Sequence, residues 1–262
     1  MLRVLMLGDI AGRPGRKAVE SEVKNLCEEL DIDFVIANGE NAAGGNGITR
    51  EIADDLFDSG IDCLTMGNHV WDKKEIFDFI DVEKRILRPA NYPPGTPGIG
   101  ATVYRANREV NIGIISLSGL VFMAELDCPF RKADELITQL SKETKIIIID
   151  FHAEVTSEKI ALGWYLDGRV TAVCGTHTHV QTADERVLPG GTGYITDLGM
   201  TGPRDGVIGV KKEIVINKFL TRLPQRFEKA TGSYQLNGVV IDIDEKTGKA
   251  MSISRINILE KI

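Results

Sequence analysis

The chain has 262 residues, of which 43% are hydrophobic and 26% are charged, and its formal net charge is -7. This length and composition are typical of one α/β globular domain and exclude a disordered or fibrous protein. The acidic balance argues against extensive binding to a nucleic-acid backbone, because such binding requires clustered Lys and Arg. The first apolar run, Leu2 to Leu7, is too short for a signal peptide or a membrane span, so we expect a cytoplasmic protein that does not bind membranes.

Alternating strand-like and helix-like patterns indicate βαβ units. In chain order they predict a strand over residues 3–7, a helix over 16–30, a strand over 34–37, a helix over 50–58, and strands over 63–66, 145–149 and 170–174. Polar residues follow each of the five strands. Because ligands bind outside the carboxyl ends of strands in open α/β sheets, we expect these polar loops to converge.

The remaining short apolar segments predict a second, more antiparallel sheet layer. They cover residues 102–104, 110–115, 214–217, 238–242 and 251–256. The segment 89–100 is rich in Pro and Gly, but strand-like patterns resume after it without a shift in composition. We therefore predict a loop there and no domain boundary.

All four histidines of the chain follow strand-like runs, and they are His69, His152, His177 and His179. A single His after a strand is more often a structural residue, but four histidines in one topological position favour a metal or catalytic site. His177 and His179 are separated by one residue, so in an extended chain their imidazoles would project to the same side.

Carboxylate and amide side chains occupy the same kind of position, namely Asp9, Glu40, Asn41 and Asn68. Mixed imidazole and carboxylate ligands suit iron, manganese or zinc. Asp9 could instead cap the following helix, and Asn68 could support a turn. Glu40 is harder to explain in this way, because burying a carboxylate at a strand end is unfavourable unless a cation compensates its charge.

The motifs resemble those of the calcineurin-like metallophosphoesterases and, more closely, those of the bacterial YmdB-like branch, a family of 2′,3′-cyclic-nucleotide 2′-phosphodiesterases. They are Gly8-Asp9, Gly39-Glu40-Asn41, Gly67-Asn68-His69, His152 and Gly175-Thr176-His177-Thr178-His179. In the wider superfamily a His follows the first Asp by two residues and the bridging ligand is an Asp. Here Ala11 and Glu40 stand at those positions, as they do in the YmdB-like branch.

The resemblance implies one metallophosphoesterase domain over residues 1–262. Its fold class would be α/β, with two sheets of mixed strands forming a sandwich flanked by helices in an α/β/β/α order. It also implies two divalent or mixed-valence metal ions per chain. The three imidazole ligands favour iron or manganese, with magnesium or zinc as the alternative.

Each ion has an implied ligand set. The first metal would be held by Asp9, Glu40, Asn41 and His179, and the second by Glu40, Asn68, His152 and His177. Asp150 precedes His152 by two residues and shares its strand face, so it could orient that imidazole, although a purely structural role is an equal alternative.

This site predicts a metal-dependent phosphoric diester hydrolase. The metals would activate a hydroxide that attacks phosphorus, and the uncoordinated His69 would protonate the leaving oxygen. The resemblance implies 2′,3′-cyclic nucleotides as substrates, with 3′,5′-cyclic nucleotides hydrolysed more weakly. The partner would thus be a small phosphodiester rather than bulk nucleic acid, and the resemblance also allows a homo-oligomer.

Three other interpretations stay open. Gly8 to Gly15 precedes a helix and superficially resembles a dinucleotide-binding turn, but it lacks both GxGxxG and GK[ST]. A phosphomonoesterase would use the same metal ligands, since these barely discriminate between leaving groups. A non-catalytic metal- or nucleotide-binding regulatory protein is disfavoured by His69, because a pure binding site does not need an uncoordinated imidazole.

Overall fold

Two mixed β-sheets packed face to face form the centre of the computed structural model, which describes residues 1–106 and 110–260. The strands are β1 (Leu2–Leu7), β2 (Asp9–Ile10), β3 (Phe34–Asn38), β4 (Cys63–Thr65), β5 (Ile86–Leu87), β6 (Ala101–Arg105), β7 (Asn111–Ser118), β8 (Ile147–His152), β9 (Ala172–Thr176), β10 (Arg186–Val187), β11 (Gly193–Ile195), β12 (Met200–Pro203), β13 (Tyr234–Ile243) and β14 (Ala250–Leu259).

The helices lie outside these sheets. They are α1 (Gly12–Leu30), α2 (Arg50–Asp58), α3 (Pro129–Leu140), α4 (Thr156–Leu166) and α5 (Lys212–Thr221), with a short 3₁₀ helix at Lys74–Asp78. Within residues 1–106 and 110–260, no helix combines the length and the hydrophobicity needed to cross a membrane.

The first sheet has the order β2-β12-β13-β1-β3-β4-β5, and β14 pairs with β13. Its strands β1, β3, β4 and β5 are parallel, whereas β13 runs antiparallel to β1, from the pair Leu2↔Ile243 to the pair Leu7↔Gly238. The second sheet has the order β10-β11-β9-β8-β7-β6, with β7, β8, β9 and β11 parallel. Each sheet therefore contains a block of parallel strands whose carboxyl ends can carry ligands.

Three apolar clusters explain the layer order. One contains side chains of α1, α2 and the first sheet, one contains residues of both sheets, and one contains side chains of α3, α4 and the second sheet. Strand β1 is apolar on both faces for this reason, since Leu5 packs on the helix side and Val4 on the side of the other sheet. The predicted α/β/β/α sandwich is confirmed.

Two details of the sequence prediction were wrong. Residues 214–217, predicted as a strand, lie within helix α5, because a short run of β-branched residues does not by its pattern distinguish a strand from a helix. The predicted antiparallel layer is also divided: β6 and β7 join the second sheet with β8 and β9, whereas β13 and β14 extend the first sheet.

Replacing Ile148 with Ala is expected to lower the free energy of unfolding by about 2–5 kcal/mol, because this side chain is fully buried between the sheets and its loss leaves a cavity. Urea denaturation followed by circular dichroism measures the change. The matched variant Ile216→Ala lies on α5, where Ile216 is 51% exposed, and should change the value by less than about 0.5 kcal/mol. Equal effects of the two substitutions would contradict the sandwich packing.

Candidate metal centre

The predicted site residues come together where the carboxyl ends of strands from both sheets meet. The first sheet contributes Asp9 on β2, Glu40 and Asn41 after β3, and Asn68 and His69 after β4, and the second contributes His152 at the end of β8, and His177 and His179 after β9. The acidic and amide groups thus lie on one sheet and three imidazoles on the other.

Period-two alternation along β8 explains how His152 reaches the site. Ile148 packs between the sheets, whereas Ile147, Ile149 and Phe151 pack on the outer side against the helices. The side chains of Asp150 and His152 therefore share the face of Ile148 and point toward the first sheet. Both residues are completely buried.

One group of side chains surrounds Nε2 of His152. This atom lies 3.1 Å from Oε1 of Glu40, 3.0 Å from Oδ1 of Asn68 and 2.9 Å from Nδ1 of His177. The potential ligand atoms of Glu40, His152 and His177 all lie within 4.8 Å of one another. The four residues predicted for the second metal are therefore neighbours, while metal binding itself stays a prediction.

A second group surrounds the side-chain amide of Asn41. Its Nδ2 lies 3.2 Å from Oε1 of Glu40, 3.2 Å from Nε2 of His179 and 3.5 Å from Oδ1 of Asp9. Nε2 of His179 is 3.7 Å from the same oxygen of Asp9. These are the four residues predicted for the first metal, and Glu40 belongs to both groups.

Three imidazoles are oriented by a hydrogen bond on the side away from the groups of potential ligands. Nδ1 of His152 lies 2.9 Å from Oγ1 of Thr176, Nε2 of His177 lies 3.1 Å from a carboxylate oxygen of Glu154, and Nδ1 of His179 lies 3.1 Å from the carbonyl oxygen of Ile208. Donation of a proton to these acceptors leaves the other nitrogen of each ring with a free electron pair.

This arrangement fits a cation. Oε1 of Glu40, Oδ1 of Asn68, Nε2 of His152 and Nδ1 of His177 are then four electron-pair donors facing one another with no hydrogen between them. Such a set is repulsive unless a proton or a metal ion lies among its atoms.

The ionisation of the buried groups agrees with this view. Burial alone would raise the pKa of Asp9 and of Glu40, but the neighbouring imidazoles His179 and His152 hold both below their usual values. Burial alone would lower the pKa of His152, but the charge of Glu40 raises it to about 9. Burial, together with the charge of His152, lowers the pKa of His177 to about 4. A proton on His152 thus compensates the buried carboxylates when no metal does.

Asp150 is connected to His152 through an intermediate residue, Thr176. Its carboxylate accepts hydrogen bonds from Oγ1 of Thr176 at 2.7 Å, from Nδ2 of Asn38 at 3.0 Å and from the hydroxyl of Thr65. Burial raises the pKa of Asp150 to about 6. Because Thr176 donates to Asp150, its oxygen can accept from Nδ1 of His152. The proposed orienting role therefore passes through Thr176.

His69 lies at the edge of both groups and differs from the other histidines. Its backbone N–H donates to Oε2 of Glu40 at 3.0 Å, and its ring Nδ1 lies 2.8 Å from Oδ2 of Asp72. The same oxygen of Asp72 accepts from Nδ2 of Asn46 at 2.9 Å. Among the described residues, Nε2 of His69 has no hydrogen-bond partner, so this nitrogen is free to meet a bound molecule.

The sequence argument for His177 and His179 was wrong about their backbone. It assumed an extended chain, whereas their φ angles are 101° and 66°, in the left-handed region that residues other than Gly rarely adopt. His177 uses Nδ1 toward one group and His179 uses Nε2 toward the other. The two rings thus serve different groups because of this local conformation.

Sequence reasoning missed several supporting residues. Asp72 follows His69 by three residues and Glu154 follows His152 by two, so a search for carboxylates near each His could have found both. Thr176 lies within the quoted motif, but its role depends on pairing between β8 and β9. The carbonyl oxygen of Ile208 has no signal in the sequence, because every residue has such an oxygen.

Comparison with known proteins identifies relatives along nearly the whole chain. A family model described as YmdB-like protein matches residues 5–256. A protein of Bacillus subtilis (strain 168) named 2′,3′-cyclic-nucleotide 2′-phosphodiesterase is 56% identical over 255 residues, which cover 97% of this chain and 96% of the relative.

Two solved structures share the fold. The crystal structure of a hypothetical protein from Thermus thermophilus matches with a TM-score of 0.92 and 40% identity, covering 99% of this chain and 100% of that one. The crystal structure of a novel phosphatase from Mycoplasma pneumoniae matches with a TM-score of 0.93 and 35% identity, covering 98% and 93% of the two chains. The resemblance inferred from the motifs is confirmed, and the chain belongs to the YmdB-like protein family.

Proposed function

We propose that this chain is a dinuclear-metal phosphodiesterase that hydrolyses 2′,3′-cyclic nucleotides. The observation that carries the proposal is the arrangement of two adjacent groups of potential ligands that share the buried carboxylate of Glu40. The phosphodiesterase name of the 56% identical relative supports the reaction and the substrate class, and the Mycoplasma structure is described as a phosphatase.

In this proposal the first metal is held by Asp9, Glu40, Asn41 and His179, and the second by Glu40, Asn68, His152 and His177. Two bound divalent ions would supply a water nucleophile of lowered pKa and neutralise charge on the phosphoryl oxygens. We propose that these ions are iron or manganese, because three imidazoles belong to the ligand set.

Local charge would attract the substrate although the whole chain is acidic. Asp9 and Glu40 are the carboxylates among the proposed ligands, so two divalent cations would leave the site positive. A small phosphodiester would respond to this local field, whereas a long nucleic acid would also experience the net negative charge of the chain.

His69 is proposed to protonate the leaving ribose oxygen. Its Nδ1 is held by Asp72, which fixes the ring orientation, and its Nε2 is free to face the substrate. Asn46 holds the Asp72 carboxylate in turn. A general acid oriented in this way typically contributes about 10² to 10⁴-fold to the rate.

A phosphomonoesterase activity is the second candidate, favoured by the phosphatase description of the Mycoplasma relative. The metal ligands would serve both reactions, because the leaving group is recognised elsewhere. Four further points also stay predictions. They are a single domain over residues 1–262, weaker activity on 3′,5′-cyclic nucleotides, a cytoplasmic location and a homo-oligomer.

The purified protein is expected to contain about two metal ions per chain and to hydrolyse 2′,3′-cyclic AMP faster than 3′,5′-cyclic AMP or a phosphomonoester. Glu40→Gln should lose bound metal and turnover together, because one charge shared by both groups disappears. Plasma mass spectrometry and product analysis on the same samples measure both quantities.

Glu143→Gln is the matched control, since Glu143 is exposed and outside the site, and it should behave like the wild type. Metal without turnover on any of these substrates would favour a regulatory binding protein. Absence of metal from the wild type after purification and after incubation with Mn²⁺ or Fe²⁺ would refute the proposed centre.

His69→Ala is expected to keep its metals and to lose about 10² to 10⁴-fold in kcat on 2′,3′-cyclic AMP. The loss should be much smaller on bis(p-nitrophenyl) phosphate, because p-nitrophenolate leaves without needing a proton. Steady-state kinetics on both substrates measure the difference. Equal losses on the two substrates would remove His69 from the proton-donor role.

Asp72→Asn is expected to lower kcat by at least about 10-fold, with metal content unchanged. This loss should be smaller than the loss caused by His69→Ala. Because the carboxylate orients the ring that donates the proton, the loss should be much smaller on bis(p-nitrophenyl) phosphate, whose leaving group needs no proton. Equal losses on that substrate and on 2′,3′-cyclic AMP would show that Asp72 does not act through His69 during turnover.

A further inference from the structure

A buried ion pair lies beside the segment that carries His177 and His179. Lys159 in the first turn of α4 and Asp197 after β11 are each 1% exposed, and Nζ of Lys159 lies 2.6 Å from Oδ2 of Asp197. Nζ also donates to the carbonyl oxygen of Thr176 at 2.7 Å. A lysine that is almost completely buried in this way is rare in proteins.

Asp197 binds the residue between the two histidines. Its Oδ2 accepts from the backbone N–H of Thr178 at 3.1 Å and from the hydroxyl of Thr178 at 2.8 Å. The backbone angles on either side of Thr178 are the left-handed ones of His177 and His179. Such conformations persist only where the surrounding structure determines them, and Asp197 supplies two of the required hydrogen bonds.

The same pair also forms hydrogen bonds with two residues, Thr176 and Gly199, that are bonded to the proposed ligands His152 and Asp9. Thr176, whose carbonyl oxygen Lys159 holds, is the hydrogen-bond partner of Nδ1 of His152. Oδ1 of Asp197 accepts from the N–H of Gly199 at 2.8 Å, and the carbonyl oxygen of Gly199 accepts from the N–H of Asp9 at 3.1 Å.

Stability alone does not account for this pair. Removing both charges from water is so unfavourable that a buried ion pair often adds little or nothing to stability compared with apolar residues of similar size. Apart from each other, the charged groups of Lys159 and Asp197 contact backbone and hydroxyl groups of Thr176, Thr178 and Gly199. The contacts therefore point to control of local conformation.

We propose that Lys159 and Asp197 are positioning residues that hold residues 176–179 in the one conformation in which His177 and His179 serve different metals. Within the described residues the hydrogen bonds of the two charged groups go to Thr176, Thr178, Gly199 and each other, so the pair acts through Thr176 and Thr178. This inference rests on the proposed function, because it is expressed through metal binding by those histidines.

The test measures Mn²⁺ affinity by calorimetric titration of the full-length protein after treatment with a chelator. Asp197→Asn and the double variant Lys159→Met/Asp197→Asn should bind Mn²⁺ about 10- to 100-fold more weakly than the wild type, as is usual when support of a metal ligand is lost. The double variant removes both charges, so it avoids leaving a buried charge without a partner.

Asp167→Asn is the matched control. Asp167 lies at the opposite end of α4, and its carboxylate likewise holds a loop, through the N–H groups of Gly190 at 2.7 Å and Thr192 at 3.4 Å. It should bind Mn²⁺ like the wild type. Thr178→Val keeps both charges and removes only the hydroxyl contact with Asp197, so a loss of roughly 2- to 10-fold is expected.

Activity as a function of Mn²⁺ concentration separates positioning from general damage. In the pair variants, excess Mn²⁺ should restore kcat toward the wild-type value, because the site is weakened rather than destroyed. Wild-type affinity in folded Asp197→Asn, or an equal loss in Asp167→Asn, would overturn the proposal. If the pair variants do not fold, wild-type affinity in Thr178→Val would overturn it. A wild-type protein that binds no Mn²⁺ would instead refute the proposed function.

Discussion

The burial of two carboxylates, those of Asp9 and Glu40, is the constraint on which the rest of the site depends. A buried negative charge is unfavourable unless positive charge or hydrogen-bond donors surround it. Both carboxylates come from the first sheet, whereas three imidazoles that can compensate them come from the second. Neither sheet alone can satisfy this requirement, so the face-to-face packing of the sheets is a condition for the site as well as for the apolar core.

The support around the imidazoles has two levels. Strand pairing fixes His152 and Thr176, because these residues end β8 and β9 and are register partners. Side-chain contacts fix His177 and His179, which lie beyond β9 in left-handed backbone. The first level is set by regular structure and withstands local change. The positions of His177 and His179 depend on a few buried polar groups. The Lys159 and Asp197 pair belongs to these groups, so substitutions there test the second level of support.

The sequence predicted which polar residues lie together better than it predicted the sheets, while their role in a site stays a prediction. Asp9, Glu40 and His152 could be found because each follows or ends an apolar run, and strand ends of one sheet must meet. Residues 214–217 were misassigned because their short apolar run fits a strand as well as a helix. The positions of β13 and β14 were missed because β1 and β13 pair over more than 200 residues of chain, and local patterns contain no information on such partners. Lys159 and Asp197 gave no signal, since a Lys in a helix is ordinarily a surface residue.

The pairing of β1 with β13, and of β2 with β12, affects the order in which the strands of the first sheet can pair during synthesis of the chain. Asp9 leaves the ribosome well before its strand partner Met200, which follows 191 residues later. Residues 34–38 and 63–65 can pair with each other much earlier. Until β12 and β13 emerge, the nascent chain has an N-terminal strand with one open edge, a type of exposed surface that favours association with other chains. Assembly of the candidate site is therefore a late event, and the open strand edge of the unfinished chain precedes it.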